Sequence, residues 1–199
     1  PDPLGRCRAT IRGQGLGVVL PEAGDERVLR AARRLRDDDL ARPILVGDTG
    51  AIEIDARAAG ISLEGLVVRD PAADPMLGAL SEHLTNSRPS LGPRLAARLL
   101  GKPLYLAGAL VAAGEAAAMV AGAANPTRRV IEAARMTIGL ADGVAAPSSF
   151  FLMLFASRPP LLFADCAVTV DPGPDELAAI AIASARSAAA LLDEPPRVA

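Results

Sequence analysis

Gly17-Val18-Val19-Leu20-Pro21-Glu22-Ala23-Gly24-Asp25-Glu26-Arg27-Val28-Leu29, continued at Pro43-Ile44-Leu45-Val46-Gly47-Asp48, carries the architecture of this chain. The apolar run Gly17 to Leu20, closed by Pro21, predicts a buried strand. From Asp25 the period changes. Val28, Ala31, Ala32 and Leu35 recur at helical spacing, and Asp25 and Glu26 fall in the first turn, where the helix dipole favours acids. Pro43 to Val46 predicts a second strand, residues 49–59 a short helix, and Leu66-Val67-Val68 a third strand closed by Asp70-Pro71. Strand, helix and strand at this spacing give βαβ units and a mostly parallel sheet. The absence of polar alternation fits strands covered on both faces.

Outward from this segment, helices are predicted over 74–84 and 93–100, separated by the polar, turn-rich stretch 85–90. A further helix spans 104–113, and 117–120 reads as a strand despite its alanines. Asn125 as N-cap and Pro126 as first helical residue predict a helix over 126–138. Residues 140–147 read as a crossing between two domains, 1–145 and 146–199. Two more buried strands follow, at 150–155 and 161–163. A final helix from Pro174 aligns Leu177, Ile180, Ala181, Ala185, Ala188 and Leu192 on one side and ends at Pro195-Pro196. Arg197-Val198-Ala199 reads as the cut beginning of another strand, and Pro1-Asp2-Pro3 as a processed or trimmed start with no basic-then-apolar leader. No repeat of solenoid length is visible.

Composition narrows the chemistry. The 199 residues are 51% hydrophobic with mean hydropathy +0.30, and 22% are charged, which supplies a core and excludes a disordered chain. A net charge of −2 and 3% aromatics argue against a nucleic-acid binder. The longest uncharged stretch, between Asp142 and Arg158, is 15 residues. A spanning helix needs about 20, so no membrane association is expected. His83 is the single histidine, which excludes His-rich zinc sites and paired-histidine relays, and no metal is expected. Cys7 and Cys166 are too few for a disulfide framework and fit a reducing cytoplasm. Lys102 is the only lysine, so an anion site here must be built from guanidinium groups, backbone N–H groups and hydroxyls.

The strongest candidate site is the segment 120–129. Gly122-Ala123-Ala124 would leave the carboxyl end of a strand, where open α/β sheets bind ligands. Free N–H groups at the next helix start would attract an anion. Thr127 adds a hydroxyl, and Arg128 and Arg129 stand in a first turn that disfavours cations unless an anion is present. The alternative is a solvated pair of arginines. Gly13-Gln14-Gly15-Leu16-Gly17 precedes a strand instead of following one, so it reads as a flexible lead-in and not as a nucleotide motif. His83 reads as a surface residue and Cys166 as an inert thiol. Asp165, at a strand's carboxyl end, could line a cleft. Ser148 and Ser149 could donate to a ligand or simply border a strand.

The residues from Val19 to Leu29, followed by Pro43 to Asp48, resemble the phosphate acetyl/butyryltransferase family. So do Met119-Val120-Ala121-Gly122-Ala123 leading to Thr127, Pro147-Ser148-Ser149-Phe150-Phe151-Leu152-Met153, Phe163-Ala164-Asp165-Cys166-Ala167-Val168, Asp171-Pro172, and Glu176 to Ala181. The resemblance implies an α/β fold similar to isocitrate and isopropylmalate dehydrogenases, a parallel-sheet sandwich with an interdomain cleft, here with an incomplete second domain. It implies a cytoplasmic homodimer that transfers an acetyl or butyryl group between coenzyme A and orthophosphate through acyl phosphate. CoA enters as a substrate, and no cofactor is bound. In that chemistry a carboxylate deprotonates the CoA thiol, which attacks the acyl phosphate carbonyl. Arginines hold phosphate, and a serine steadies the oxyanion.

The substrate-binding set implied on this chain is Thr127, Arg128, Arg129, Arg88, Ser148, Ser149 and Asp165. The family segment carrying the catalytic serine, arginine and aspartate has no counterpart here, so the catalytic residues are unknown and activity of this chain alone is open. Three positions depart from the family pattern. Thr85-Asn86 stand where it has an arginine, with Arg88 nearby, Glu132 replaces a second arginine, and Ala117-Ala118 replace an aspartate-glycine pair. The alternative expectation is a non-catalytic regulatory module that binds acyl-CoA or acyl phosphate.

Overall fold

The computed structural model describes residues 2–192 and 195–199. Two compact units are present, one formed by Ile11–Gly139 and one by Pro1–Thr10 with Leu140–Ala199. The chain opens with α1 (Pro3–Ile11), a helix that the sequence reading lacked because it shows no apolar stripe and buries only Pro3. The Arg6 guanidinium donates to the Leu191 carbonyl, which ties this helix into the unit that also holds the C-terminal residues.

The larger unit is an α/β layer structure. Its elements are β1 (Gly17–Leu20), α2 (Glu26–Asp37), β2 (Arg42–Val46), α3 (Thr49–Ala58), β3 (Val67–Arg69), α4 (Leu77–Ser87), α5 (Pro93–Leu100), α6 (Pro103–Ala112), β4 (Ala118–Met119) and α7 (Thr127–Thr137). The four strands form one parallel sheet in the order β3-β2-β1-β4, with Val19 opposite both Ile44 and Met119. Strand side chains alternate between the two faces. Val19, Ile44 and Val46 pack with Leu80, Leu84, Leu100, Leu106 and Leu110 of α4 to α6. Leu20 and Leu45 pack with Leu29, Ala32, Ile52 and Ala56 of α2 and α3. Burial on both faces explains why these strands lack polar alternation.

Local details depart from expectation. α4 runs through Thr85 and Asn86 to Ser87, because the Thr85 hydroxyl donates back to the Ser81 carbonyl and spends its polarity inside the helix. β4 shrinks to two residues. The N-cap of α7 is Pro126 and not Asn125, whose side chain is engaged elsewhere.

The smaller unit contains α1, β5 (Phe150–Met153), β6 (Leu161–Ala164) and α8 (Pro174–Leu191). β5 and β6 pair antiparallel, Phe151 opposite Phe163, so the parallel arrangement belongs to the larger unit only. These strands were expected to be buried; instead Phe151 is 58% and Phe163 49% exposed. A two-stranded pair has too few neighbours to cover an apolar face. α8 begins where Glu176 accepts from the Gly173 N–H at 2.9 Å, and ends at Leu191. Pro1, Asp193 and Glu194, on which the expected start and the approach to Pro195 partly fall, lie outside the described residues. Among the described residues no single helix is long and apolar enough to cross a membrane.

Candidate anion-binding site

The strand order reverses at β1, which lies between β2 and β4. The segments leaving β1 and β4 therefore meet at the carboxyl edge of the sheet, where a doubly wound fold offers a crevice. Glu22 fills it. Its Oε2 accepts from the backbone N–H groups of Gly122 and Ala123, both at 2.7 Å. Its Oε1 accepts from Ala124 at 3.0 Å, from the Asn125 N–H at 2.7 Å and from the Asn125 side-chain amide at 2.9 Å. Burial pushes the Glu22 carboxyl up, but Asn125 and the loop N–H groups outweigh it and hold the pKa below the ordinary value. The N–H groups expected to receive a substrate oxyanion are thus occupied by the protein's own carboxylate.

The open cationic surface lies one helical turn further on. A cavity of about 570 Å³ is lined by Arg88, Ser90, Leu91, Arg128, Ile131, Glu132, Arg135 and Met136. Arg128, Ile131, Glu132, Arg135 and Met136 follow the i, i+3, i+4, i+7, i+8 spacing of a single helix face. Arg88 joins them from the C-cap of α4, its Nε buried and without a hydrogen-bond partner among the described residues. Gly139, at φ +90°, makes room for it. A Cβ there would lie 2.6 Å from Arg88 Nη2. Among the described residues Arg88, Arg128 and Arg135 form no ion pair. The Tyr105 phenol is pushed up by burial and then by the Glu132 carboxylate, with Arg129 opposing. Three guanidinium groups against one carboxylate leave the cavity positive.

Of the residues singled out by sequence, Arg88 and Arg128 are brought together here. Thr127 opens α7 and Arg129 stands on its first turn, both exposed and outside the cavity lining. Ser149 and Asp165 form a separate cluster in the smaller unit. The Ser149 hydroxyl donates to Asp165 Oδ1 and accepts from the N–H groups of Cys166 and Ala167 at 3.0 and 2.8 Å. Asp165 also accepts from Ala167 at 2.9 Å, Val168 at 3.1 Å and Thr169 at 3.3 Å. Burial raises its pKa, yet Ser149 and these N–H groups hold it far below the carboxylate range. Ser148 is exposed, and Cys166 Sγ donates to the Phe163 carbonyl at 3.0 Å. No group of three or more His, Cys, Asp or Glu with metal-holding geometry occurs among the described residues.

Sequence reasoning missed Arg135 and Ser90. The helical stripe on α7 could have revealed Arg135; nothing local marks Ser90. Glu22 was also missed, since its partners are 100 to 103 residues away.

A parallel sheet clothed by helices, with unpaired guanidinium groups in a cavity, defines an α/β protein with a cationic pocket. The family model for phosphate acetyl/butaryl transferase matches residues 4–199, and the chain belongs to that family. It is similar to the phosphate acetyltransferase of Paracoccus denitrificans, with 36% identity over 99% of this chain and 60% of the relative. It is also similar to that of Bacillus subtilis, with 32% identity over 100% of this chain and 61% of the relative. Among solved structures it matches the EutD phosphotransacetylase from Staphylococcus aureus, with a TM-score of 0.89, 30% identity, and 96% and 58% of the two chains covered. A phosphotransacetylase from Streptococcus pyogenes gives a TM-score of 0.89 at 30% identity, covering 94% of this chain and 57% of that one. The chain thus spans about three fifths of the length of these relatives.

Proposed function

We propose that this chain takes part in phosphate acyltransfer, moving an acetyl or butyryl group between coenzyme A and orthophosphate, and that the Arg88–Arg128–Arg135 cavity holds a phosphate group. The observation that carries this reading is three cavity arginines without an ion pair among the described residues, one with a buried Nε unsatisfied by them. Guanidinium groups grip phosphate oxygens through paired hydrogen bonds. They also stabilise the charge that returns to phosphate as an acyl phosphate gives up its acyl group to a thiol. CoA is a substrate in this reading, and no cofactor is bound. Thr127, Arg129, Ser148, Ser149 and Asp165 complete the proposed substrate-binding set. Ser149 serves by holding the turn after β6, since its hydroxyl proton is committed to Asp165. A dehydrogenase-like pair of domains with the second one incomplete, an interdomain cleft, a homodimer and a cytoplasmic location belong to the same proposal, supported by the relatives' family.

Glu132 on the cavity wall favours a second reading, a non-catalytic module that binds acyl phosphate or acyl-CoA. Calorimetry with inorganic phosphate and with CoA, beside an assay of CoA-dependent acyl phosphate formation, separates the two. Turnover supports the transferase, and binding without turnover supports the module. Loss of neither ligand in Arg128→Ala would overturn the cavity assignment. Glu132→Gln removes a negative charge and should tighten phosphate binding about three- to tenfold, less at high salt.

A further inference from the structure

We propose that Glu22 is a positioning residue for the cationic cavity, the resident anion of a five-donor receptor that fixes where α7 begins. The inference rests on the cavity being the phosphate site, and it concerns a residue outside that cavity. A buried carboxylate is costly unless hydrogen bonds replace its water. Glu22 is only 7% exposed, yet four successive backbone N–H groups and one side-chain amide converge on its two oxygens. Consecutive N–H groups turned to one point form an anion nest, and here the anion is covalently supplied from the segment after β1.

The same segment holds the loop by its opposite pole. Arg27 donates to the Ala123 carbonyl at 2.7 Å and is itself fixed by Asp25, at 2.7 Å, which caps α2 through the Arg27 N–H at 2.8 Å. The loop 122–125 is therefore held at its four N–H groups and at the Ala123 carbonyl. Arg128 follows Asn125 by three residues on a helix whose N-cap, Pro126, offers no side-chain hydrogen bond. With no cap of its own, the start of α7 takes its position from the clamped loop. Glu22 has two effects: it excludes substrate oxyanions from the loop and sets Arg128 in place for the cavity.

The test uses the full chain with Glu22→Ala and with the near-isosteric Glu22→Gln. Nuclear magnetic resonance reads the amides of 122–125 and the Arg128 Nε–H, and calorimetry reads inorganic phosphate affinity. In Glu22→Ala, the four amides should lose protection, the Arg128 Nε–H should shift, and phosphate affinity should fall about tenfold, the effect of losing hydrogen bonds to a charged group. Formate, a free carboxylate, should enter the vacated nest and restore all three, while leaving the same amides of the unaltered chain unmoved. Glu22→Gln, which keeps a carbonyl acceptor, should fall between. If Glu22→Ala does not fold, Glu22→Gln decides alone. The proposal is overturned if the folded variant loses thermal stability while the Arg128 signal and phosphate affinity stay unchanged, or if formate perturbs the amides of the unaltered chain. Should the unaltered chain bind no phosphate, the phosphate reading fails, but the Arg128 signal and its recovery with formate still decide the role of Glu22.

Discussion

Glu22 also gives the protein an acid-sensitive element. Its pKa is held below the ordinary 4.5 in the folded chain, so its stabilising effect is complete above that value. It is lost as pH falls through the folded pKa, because the unfolded chain takes up the proton first. Denaturant unfolding followed from neutral to acid pH should therefore show a shallower acid limb in Glu22→Gln than in the unaltered chain. The limb does not vanish, since Asp165, Asp74 and Asp25, the last lowered to about 2, are depressed in the same direction. An unchanged limb would mean that the five hydrogen bonds do not discriminate charged from neutral Glu22. At this scale the sequence was partly legible. Arg128 could be singled out because a cation in the first turn of a helix calls for an explanation, and Arg88 because it lay near a family motif. Glu22 could not, because only the fold carries its carboxylate to donors a hundred residues away.

The helices explain how these side chains are held. α6 is buried along most of its surface, through Leu104, Leu106, Ala107, Ala109 and Leu110. It can lie close to α7 because Gly108 faces Thr137. A Cβ at Gly108 would overlap the Thr137 hydroxyl, which is itself buried and donates to the Ala133 carbonyl at 2.7 Å. Gly108→Ala should cost about 1–3 kcal/mol of stability, the range for overfilling a packed contact. It should also weaken phosphate binding, because the arginines travel with α7. Urea unfolding and calorimetry check the two effects, and a fully stable variant would mean that the α6–α7 contact yields freely. The strand and helix positions of the larger unit were readable from period and turn residues, with α5 matching residue for residue. Two of the boundaries that shifted, the end of α4 and the start of α7, lie where a side chain found a partner that local propensity does not know about: Thr85 within its own helix, Asn125 on Glu22.

At the scale of the whole molecule, the pair β5 and β6 in the smaller unit presents an exposed apolar face. Phe151, Phe163 and Leu161, the last 41% exposed, lie on one side of the pair, since opposite residues of an antiparallel ladder share a face. Contiguous exposed apolar surface binds hydrophobic dyes. Replacing Phe151 and Phe163 together with threonine should markedly reduce 8-anilinonaphthalene sulfonate fluorescence without altering phosphate binding. Undiminished fluorescence would place the dye-binding surface elsewhere. The amino-acid order by itself determined the family and, from β1 onward, the succession of strands and helices and the parallel sheet of the larger unit, because apolar period, caps and turn residues act over a few neighbours. Which groups meet was decided only in three dimensions. Strand order brings the segments after β1 and β4 together, and that encounter gives the loop's N–H groups to Glu22 while the arginines of α7 and the end of α4 face an open cavity. Hydrogen bonding and burial depend on distance in space, which separation along the chain does not encode.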